Sequence, residues 1–170
     1  MIDCDVTSAA RQFERDRDDD ASLARDRVDV RLLTSADESA VARIDRHLTG
    51  YDRTEYLDTA LREALEASAV RVSLSARVEG VIAGYAMART DLGDYGRTEP
   101  VAVLDTIGVD PAFARRGVGA ALLSQLLVNL SALRVERVET VVARENFDLL
   151  SFLYRAGFGP SQRLAFERPA

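Results

Sequence analysis

The sequence has no lysine, a single cysteine, a single histidine and no long apolar run. Cys4 cannot form a disulfide within the chain or supply a site with several cysteine ligands, and no metal is predicted. No stretch of about 18 apolar residues exists, which argues against a membrane span. The Asp- and Arg-rich N-terminus does not resemble a secretory signal. Together these absences predict a cytoplasmic protein.

All 22 basic residues are arginine, and 28 acidic residues outnumber them to give a net charge of −6. Nucleic-acid binding needs a cationic surface for the phosphates, so no nucleic-acid partner is expected. An acidic surface is compatible with a cationic partner such as an amine or a basic peptide. The apolar fraction of 47% can form one core in 170 residues.

The charge is concentrated at the N-terminus, where residues 1–29 hold five arginines and nine acidic residues. The stretch from Glu14 to Asp20 has no apolar side chain to bury. We therefore predict a charged N-terminal arm over residues 1–27 and one folded domain over 28–170. We expect this arm to contact a second copy of the chain, so a homodimer is also predicted.

Hydrophobic periodicity and capping signals predict ten elements in the folded domain. Ser35 with Glu38, and Asp52 with Glu55, have the spacing of helix N-terminal capping boxes. The predicted strands are 28–33, 70–78, 81–88, 101–109, 138–142 and 164–167, and the predicted helices are 35–47, 52–67, 116–130 and 146–156. An early hairpin followed by βαβ crossovers predicts one mixed sheet with helices on both faces.

The segment 101–123 combines a buried strand, a turn and a loop that holds Arg115, Arg116, Gly117 and Gly119 directly before an apolar helix. The start of a helix presents unpaired backbone N–H groups and the positive end of the helix dipole. Glycines allow an anion to approach the backbone closely, and the two arginines add positive charge. The pattern predicts a pyrophosphate site.

Two other interpretations of this loop compete with a pyrophosphate site. A dinucleotide-binding fingerprint needs a third glycine and a direct strand-to-glycine junction, whereas Leu122 occupies the third position and a loop intervenes. A glycine turn with two solvated arginines is the purely structural alternative. A coenzyme A diphosphate is the preferred ligand.

The segment resembles the acetyl-CoA-binding motif of the GNAT superfamily of N-acetyltransferases, a strand followed by V-x-P-x-x-(Q/R)-x-x-G-x-(G/A) and an amphipathic helix. Asn146 followed by Gly157-Phe158 is similar to the next motif of that family, and the order of elements matches from about residue 28 to 168. The resemblance implies an α/β (α+β) acyl-CoA N-acyltransferase fold. That fold has a mixed central sheet of six to seven strands, flanked by about four helices and splayed between the fourth and fifth strands.

The resemblance implies an enzyme that moves the acetyl group of acetyl-CoA to a primary amine by direct transfer. The amides of residues 115–120 would hold the pyrophosphate, and the backbone of Ile107 and Val109 would pair with the pantetheine arm. The Ile107 amide would stabilise the oxyanion, and Asn146 would contact the pantetheine. The implied cofactor residues are Ile107, Gly108, Val109, Arg115, Arg116, Gly117, Val118, Gly119, Ala120 and Asn146.

Two positions depart from the family pattern. Three residues before the first glycine, Gly117, the family usually has Gln or Arg, and this sequence has Ala114. Leu153 stands where the family has its tyrosine, and Tyr154, the candidate general acid, follows one position later, a rotation of about 100° on a helix. A thiol with a pKa near about 8.5 can leave as a thiolate with help from water alone. A non-catalytic acyl-CoA-binding or regulatory module is therefore the alternative function.

Direct transfer also needs a base to take the amine proton. Asp105 lies where many relatives have an acid and is the first candidate, although it could instead bond nearby backbone; Glu99 is the second. His47, Tyr51 and Tyr85 are candidates for the acceptor side, because the segment between the first two helices lines the acceptor cleft in the family. A histidine near a helix C-terminus can also simply complement the helix dipole.

Overall fold

A computed structural model describes residues 28–66, 71–91, 100–163 and 168 of the chain. The chain forms two compact units, Met1–Thr140 and Val141–Ala170. The predicted arm, the loop that contains Glu99 and the predicted strand at 164–167 lie outside the described residues. The division into an arm and one domain stays a prediction.

The first unit contains a five-stranded sheet with the order β1-β2-β3-β4-β5. Neighbouring strands from β1 to β4 are antiparallel, and β5 is parallel to β4. The strands are β1 (Asp29–Leu32), β2 (Arg71–Val78), β3 (Val81–Asp91), β4 (Val101–Val109) and β5 (Arg137–Glu139). The predicted mixed sheet is confirmed, with five strands in the described residues rather than six to seven.

The described residues form four α-helices: α1 (Glu38–Thr49), α2 (Thr54–Glu66) and α3 (Val118–Ala132) in the first unit, and α4 (Phe147–Arg155) in the second. The first capping box lies one residue earlier than predicted, because a 3₁₀ turn at Ser35–Asp37 precedes α1. Thr34, rather than Ser35, is the capping residue, and its amide donates to Asp37 Oδ2 at 3.0 Å. None of the described helices has the length and apolar character needed to span a bilayer.

Helices cover both faces of the sheet in the first unit. Successive β3 residues point to opposite faces. On one face, Tyr85 packs in a cluster with residues of α1 and α2, including Ile44 and Leu57. On the other face, a Cβ atom added to Gly84 would lie 3.0 Å from Val118 Cγ1 of α3 and 2.8 Å from the backbone oxygen of Gly108. The glycine at position 84 therefore lets α3 pack closely on the sheet.

Candidate active site

The loop between β4 and α3 is fastened to its surroundings by Asp110. The Asp110 amide donates to Ala83 O at 2.8 Å, and Oδ1 accepts from Ala112 N at 3.0 Å to cap a 3₁₀ turn. Oδ2 accepts from Arg43 Nη1 of α1 at 2.7 Å. The hydrogen bonds from Arg43 and the Ala112 amide lower the pKa of Asp110 against the opposing effect of burial. The sequence patterns did not single out Asp110, although an Asp-Pro pair directly after a strand is a signal for a turn.

The same loop enters α3 through two left-handed residues. Arg115 has a φ of 60° and Gly117, the N-cap of α3, has a φ of 80°. The hydrogen bond from Ala121 N to Gly117 O at 2.9 Å is the first of the helix, so the amides of residues 118–120 have no partner within it. The first turn holds no acidic residue. This backbone fits a diphosphate, because amides and the positive helix end converge there without an opposing carboxylate.

Arg116, the residue directly after Arg115, lies beside an aromatic ring of the same loop. The Arg116 guanidinium carbon lies 5.6 Å from the centre of the Phe113 ring, a cation–π geometry. Val118 is buried in the core, so it can contribute only its amide to a ligand. The structure thus brings the six predicted residues from Arg115 to Ala120 together around one helix N-terminus.

The strand before the loop has an open edge in the described sheet. Pairing of β4 with β5 covers only Val101–Val103 and ends there. Beyond this point Ile107 and Val109 are partly exposed, and an extended ligand can bond such an edge as an added strand. Gly108 between them is buried, and a Cβ atom there would lie 2.8 Å from the Tyr85 ring.

Asp105 occupies a β-bulge in β4. Met87 pairs with Thr106 and Ala88 with Leu104, so Asp105 is the extra residue between two pairs. A bulge of this kind redirects a side chain and is common beside active sites. The Asp105 carboxylate forms an ion pair with Arg89 of β3, and its side chain is 18% exposed.

A cavity of about 270 Å³ lies beside this bulge and is bounded by α2, β2, β3 and β4. It is lined by Tyr56, Thr59, Ala60, Arg71, Ser73, Met87, Ala88, Arg89, Asp105 and Thr106. Asp105, the first candidate for the base that takes the amine proton, therefore lines this cavity.

A buried ionic cluster fixes the start of α2. Asp45 of α1 accepts from Arg53 Nε at 2.9 Å and from the Tyr85 hydroxyl at 2.7 Å. Burial by itself raises the pKa of Asp45, but the hydrogen bonds from Arg53 and Tyr85 outweigh it and hold that pKa below the ordinary value. Burial raises the pKa of the Tyr85 phenol. The cluster ties α1 and β3 to the residue that directly precedes α2.

A comparison with protein families agrees with this geometry. The acetyltransferase (GNAT) family matches residues 36–158, well over half of the chain. The chain belongs to the GNAT family. The predictions of this family, of its fold and of an acyl-CoA-dependent N-acyltransferase are confirmed.

Solved GNAT structures share the fold. An aminoglycoside N-acetyltransferase, AAC(6')-Iy, in complex with CoA has 22% identity and a TM-score of 0.73, with 84% of this chain and 94% of that chain covered. An aminoglycoside 6'-N-acetyltransferase from Acinetobacter baumannii has 17% identity, a TM-score of 0.72 and coverage of 84% and 98%. A ribosomal-protein-alanine N-acetyltransferase from Brucella melitensis biovar Abortus 2308 has 20% identity, a TM-score of 0.67 and coverage of 84% and 99%. A search of curated protein sequences gave no match.

The predicted acceptor-side residues of this GNAT protein do not meet at the cavity. His47 is exposed in the last turn of α1, and Tyr51 is 74% exposed just beyond it. Tyr85, which was predicted to line the cleft, is only 1% exposed and belongs to the core. Tyr56 of α2 lines the cavity instead. The alternation of β3 showed that Tyr85 lies in a strand, but not that its ring is covered.

The second unit holds the remaining candidates of the GNAT pattern. Asn146 caps α4, and its Oδ1 atom accepts from Leu149 N at 3.2 Å. Leu153 is 5% exposed, whereas Tyr154 is 59% exposed. The shift of the tyrosine by one position therefore places it on a different side of α4 from the residue at the family's tyrosine position.

Proposed function

We propose that the protein transfers the acetyl group of acetyl-CoA directly to a primary amine. One observation carries the proposal: the left-handed turn at Arg115 and Gly117 leads into α3 immediately after the open edge of β4. Structures of AAC(6')-Iy in complex with CoA and with a CoA-linked bisubstrate analogue support acetyl-CoA as the donor. The aminoglycoside enzymes among the structural neighbours support a small-molecule amine as the acceptor.

The donor is held mainly by the backbone. The amides of residues 115–120 bind the diphosphate, and the side chains of Arg115 and Arg116 add positive charge. The main-chain groups of Ile107 and Val109 hold the pantetheine arm as an added strand. Asn146 is proposed as a further pantetheine contact. When bound, acetyl-CoA supplies an acetyl group activated as a thioester.

The chemistry requires a proton acceptor and a hydrogen-bond donor to the carbonyl oxygen. The Asp105 carboxylate takes the amine proton, directly or through water, while the nitrogen forms its bond to the acetyl carbon. The Ile107 amide donates to the carbonyl oxygen as negative charge develops there. As the carbon–sulfur bond breaks, the thiolate takes its proton from solvent or from Tyr154. Glu99 is the alternative base.

Thiol release from acetyl-CoA in the presence of a panel of primary amines tests the proposal. The expected result is amine-dependent release of CoA with formation of the N-acetyl product. The buried Leu153 at the family's tyrosine position favours one rival, a non-catalytic acyl-CoA-binding module. Binding of acetyl-CoA without turnover for any amine would support that rival and contradict the proposal. A cytoplasmic location and a homodimer stay predictions.

A further inference from the structure

Two neighbouring residues of β4, Asp105 and Thr106, both line the cavity. In a regular strand, successive side chains point to opposite faces of the sheet, so two adjacent residues would not line the same cavity. The bulge in β4 interrupts this alternation, because Asp105 is the extra residue between two pairs. The bulge therefore brings the side chain of Thr106 to the same cavity as the first candidate base.

The Thr106 hydroxyl is joined to a chain of buried groups. Its Oγ1 atom lies 3.4 Å from the hydroxyl oxygen of Tyr85, which donates its single proton to Asp45 Oδ1 at 2.7 Å. Burial raises the pKa of Asp45, but hydrogen bonds from Arg53 and Tyr85 outweigh this effect and lower it. Asp45 is therefore a carboxylate near neutral pH and can only accept. Since the proton of Tyr85 is held by Asp45, the hydrogen bond between Tyr85 and Thr106 is donated by Thr106.

This chain sets the part that Thr106 can take towards a ligand. A hydroxyl group has one proton to donate and two lone pairs that accept. With the proton directed to Tyr85, the Thr106 oxygen is an acceptor for the ligand. The Asp105 carboxylate forms an ion pair with Arg89, but its two oxygens have about four lone-pair positions, so it can also accept from a ligand. Two neighbouring acceptors match a group that has two N–H bonds.

We propose that Thr106 determines specificity for a primary amine, by accepting one N–H bond of the acceptor while Asp105 accepts the other. This inference rests on the proposed acetyl transfer. A neutral primary amine has two N–H bonds and one lone pair, which forms the bond to the acetyl carbon as the carbon–sulfur bond breaks. One amine proton passes to Asp105, the thiolate leaves and is protonated, and the second N–H bond remains in the amide product.

A secondary amine lacks the second N–H bond. Its one N–H bond is needed for proton transfer to Asp105, so an alkyl group faces the Thr106 oxygen instead. The hydrogen bond at Thr106 is then lost, and a site built for an N–H group discriminates against an analogue without it. The Thr106 oxygen stays an acceptor whether or not Tyr85 has a hydroxyl, so the inference concerns Thr106 itself.

Pairs of primary amines and their N-methyl derivatives test the inference. Thiol release is measured with ethanolamine and N-methylethanolamine, and with benzylamine and N-methylbenzylamine. The wild type is expected to prefer each primary amine by about tenfold or more in kcat/KM, the effect of a hydrogen bond left unmade. Thr106→Val keeps the size of the side chain but cannot accept, and should reduce the preference to about twofold or less. Thr106→Ser keeps the hydroxyl and should retain most of the preference.

Thr59→Val is the matched control. Thr59 lines the same cavity from α2, and its hydroxyl donates to the Glu55 backbone oxygen at 2.9 Å within that helix. The same change of hydroxyl to methyl at this position should leave the preference unchanged. No preference in the wild type, or one that persists in Thr106→Val, overturns the inference and leaves the proposed function intact. An equal loss in Thr59→Val also overturns it, because the effect then comes from the polarity of the cavity in general.

A measurement without the acetyl donor separates this inference from the proposed function. Near neutral pH these amines are mostly ammonium ions, which can donate N–H bonds to the same two acceptors. A rise in melting temperature with benzylamine that is lost in Thr106→Val and kept in Thr106→Ser supports the inference, even if no acetyl transfer occurs. Equal shifts in the wild type and Thr106→Val, together with no transfer to any amine, overturn both proposals. Thr106→Ala, which also lacks the hydroxyl, replaces the valine variant if the melting curve shows that the latter is unfolded.

Discussion

Asp105 is the residue on which the proposed chemistry depends most, because the β4 bulge turns its side chain towards the cavity. Asp105→Asn keeps the shape of the side chain but removes its ability to accept a proton. We expect kcat to fall by about 10²–10⁴-fold, the usual contribution of a general base, with the affinity for CoA unchanged. Steady-state thiol release and calorimetry measure the two quantities.

Asp58 provides the matched control for this variant. Its half-exposed side chain forms an ion pair with Arg62 within α2 and does not line the cavity. Asp58→Asn should leave kcat unchanged. If Asp105→Asn retains kcat within about twofold, a loss far below that of a general base, Asp105 is not the base and Glu99 becomes the first candidate.

Tyr85 illustrates a role that the sequence alone could not reveal. The alternation of β3 predicts a strand, but a tyrosine on a strand can face either solvent or core. The burial of Asp45, which accepts from Tyr85, was equally unexpected, because acidic residues are rarely buried unless paired. Its partner Arg53 lies eight positions away in the connection between two helices, where no local pattern indicates a contact.

Tyr85→Phe should therefore reduce stability rather than acceptor binding. Removal of the hydroxyl takes one donor from the buried Asp45 carboxylate and costs about 1–3 kcal/mol of the free energy of unfolding. Denaturant unfolding measures this cost, and Tyr51→Phe at an exposed site should have almost no effect. A Tyr85→Phe protein with unchanged stability and a raised KM for amines would contradict the placement of Tyr85 in the core.

At the scale of elements, the loop before α3 has left-handed residues and is the proposed diphosphate site. Gly117 and Gly80 have nearly the same φ, 80° and 82°, but Gly80 lies in the β2–β3 turn. Alanine at either position costs roughly 1–2 kcal/mol, because a Cβ atom disfavours the left-handed region. Only Gly117→Ala should also weaken CoA binding, by about tenfold, because it redirects the amides at the start of α3.

Calorimetric titration of both variants with CoA checks this expectation. A similar decrease in melting temperature in the two variants would show that alanine causes the same backbone strain at positions 117 and 80. Equal affinities of Gly117→Ala and Gly80→Ala for CoA would contradict the assignment of the loop as the diphosphate site.

Most elements could be predicted because their hydrophobic periods are regular. The strands β2 to β4 and the helix α3 lie close to their predicted bounds. The bulge at Asp105 and the early end of β4–β5 pairing could not be predicted, since both depend on register between strands. The first capping box was displaced by one residue, because Thr34 and Asp37 have the same spacing as Ser35 and Glu38. The position of the glycine-rich loop could be predicted because its glycines directly precede an apolar helix, and its role as the diphosphate site stays a prediction.

At the scale of the whole molecule, two buried carboxylates link stability to pH. The pKa of Asp110 and that of Asp45 are both lowered in the folded protein. A lowered pKa means that the unfolded chain binds protons first as the pH falls. The stabilisation is therefore complete above the unfolded value of about 3.9 and is lost as the pH falls from there through the folded pKa.

Asp110→Asn tests this linkage. The variant should melt at a lower temperature than the wild type at pH 7. Its neutral amide can still accept a hydrogen bond from Arg43, but the attraction between two opposite charges is lost. The difference should shrink as the pH is lowered below about 4, where the wild-type carboxylate also becomes protonated. Arg43→Gln should behave in the same way. A difference that stays constant from pH 7 to pH 3 would contradict a stabilising carboxylate at position 110.

Contacts across the whole chain were the least predictable feature. The cavity draws its lining from α2, β2, β3 and β4, so residues that are far apart in the sequence line it together. Local sequence patterns do not encode such meetings, so the sequence placed the glycine-rich loop before α3 but named Tyr85, a core residue, for the acceptor side.

We propose that the backbone between Arg115 and Ala120 holds the diphosphate of coenzyme A. Isothermal titration with CoA and with S-acetylpantetheine, which lacks the diphosphate and the nucleotide, tests it most directly. We predict a dissociation constant for CoA between about 1 μM and 1 mM, the range of common substrate affinities, and much weaker binding of S-acetylpantetheine. Absence of heat with CoA at millimolar concentration, or equal affinity for the two ligands, would contradict the claim.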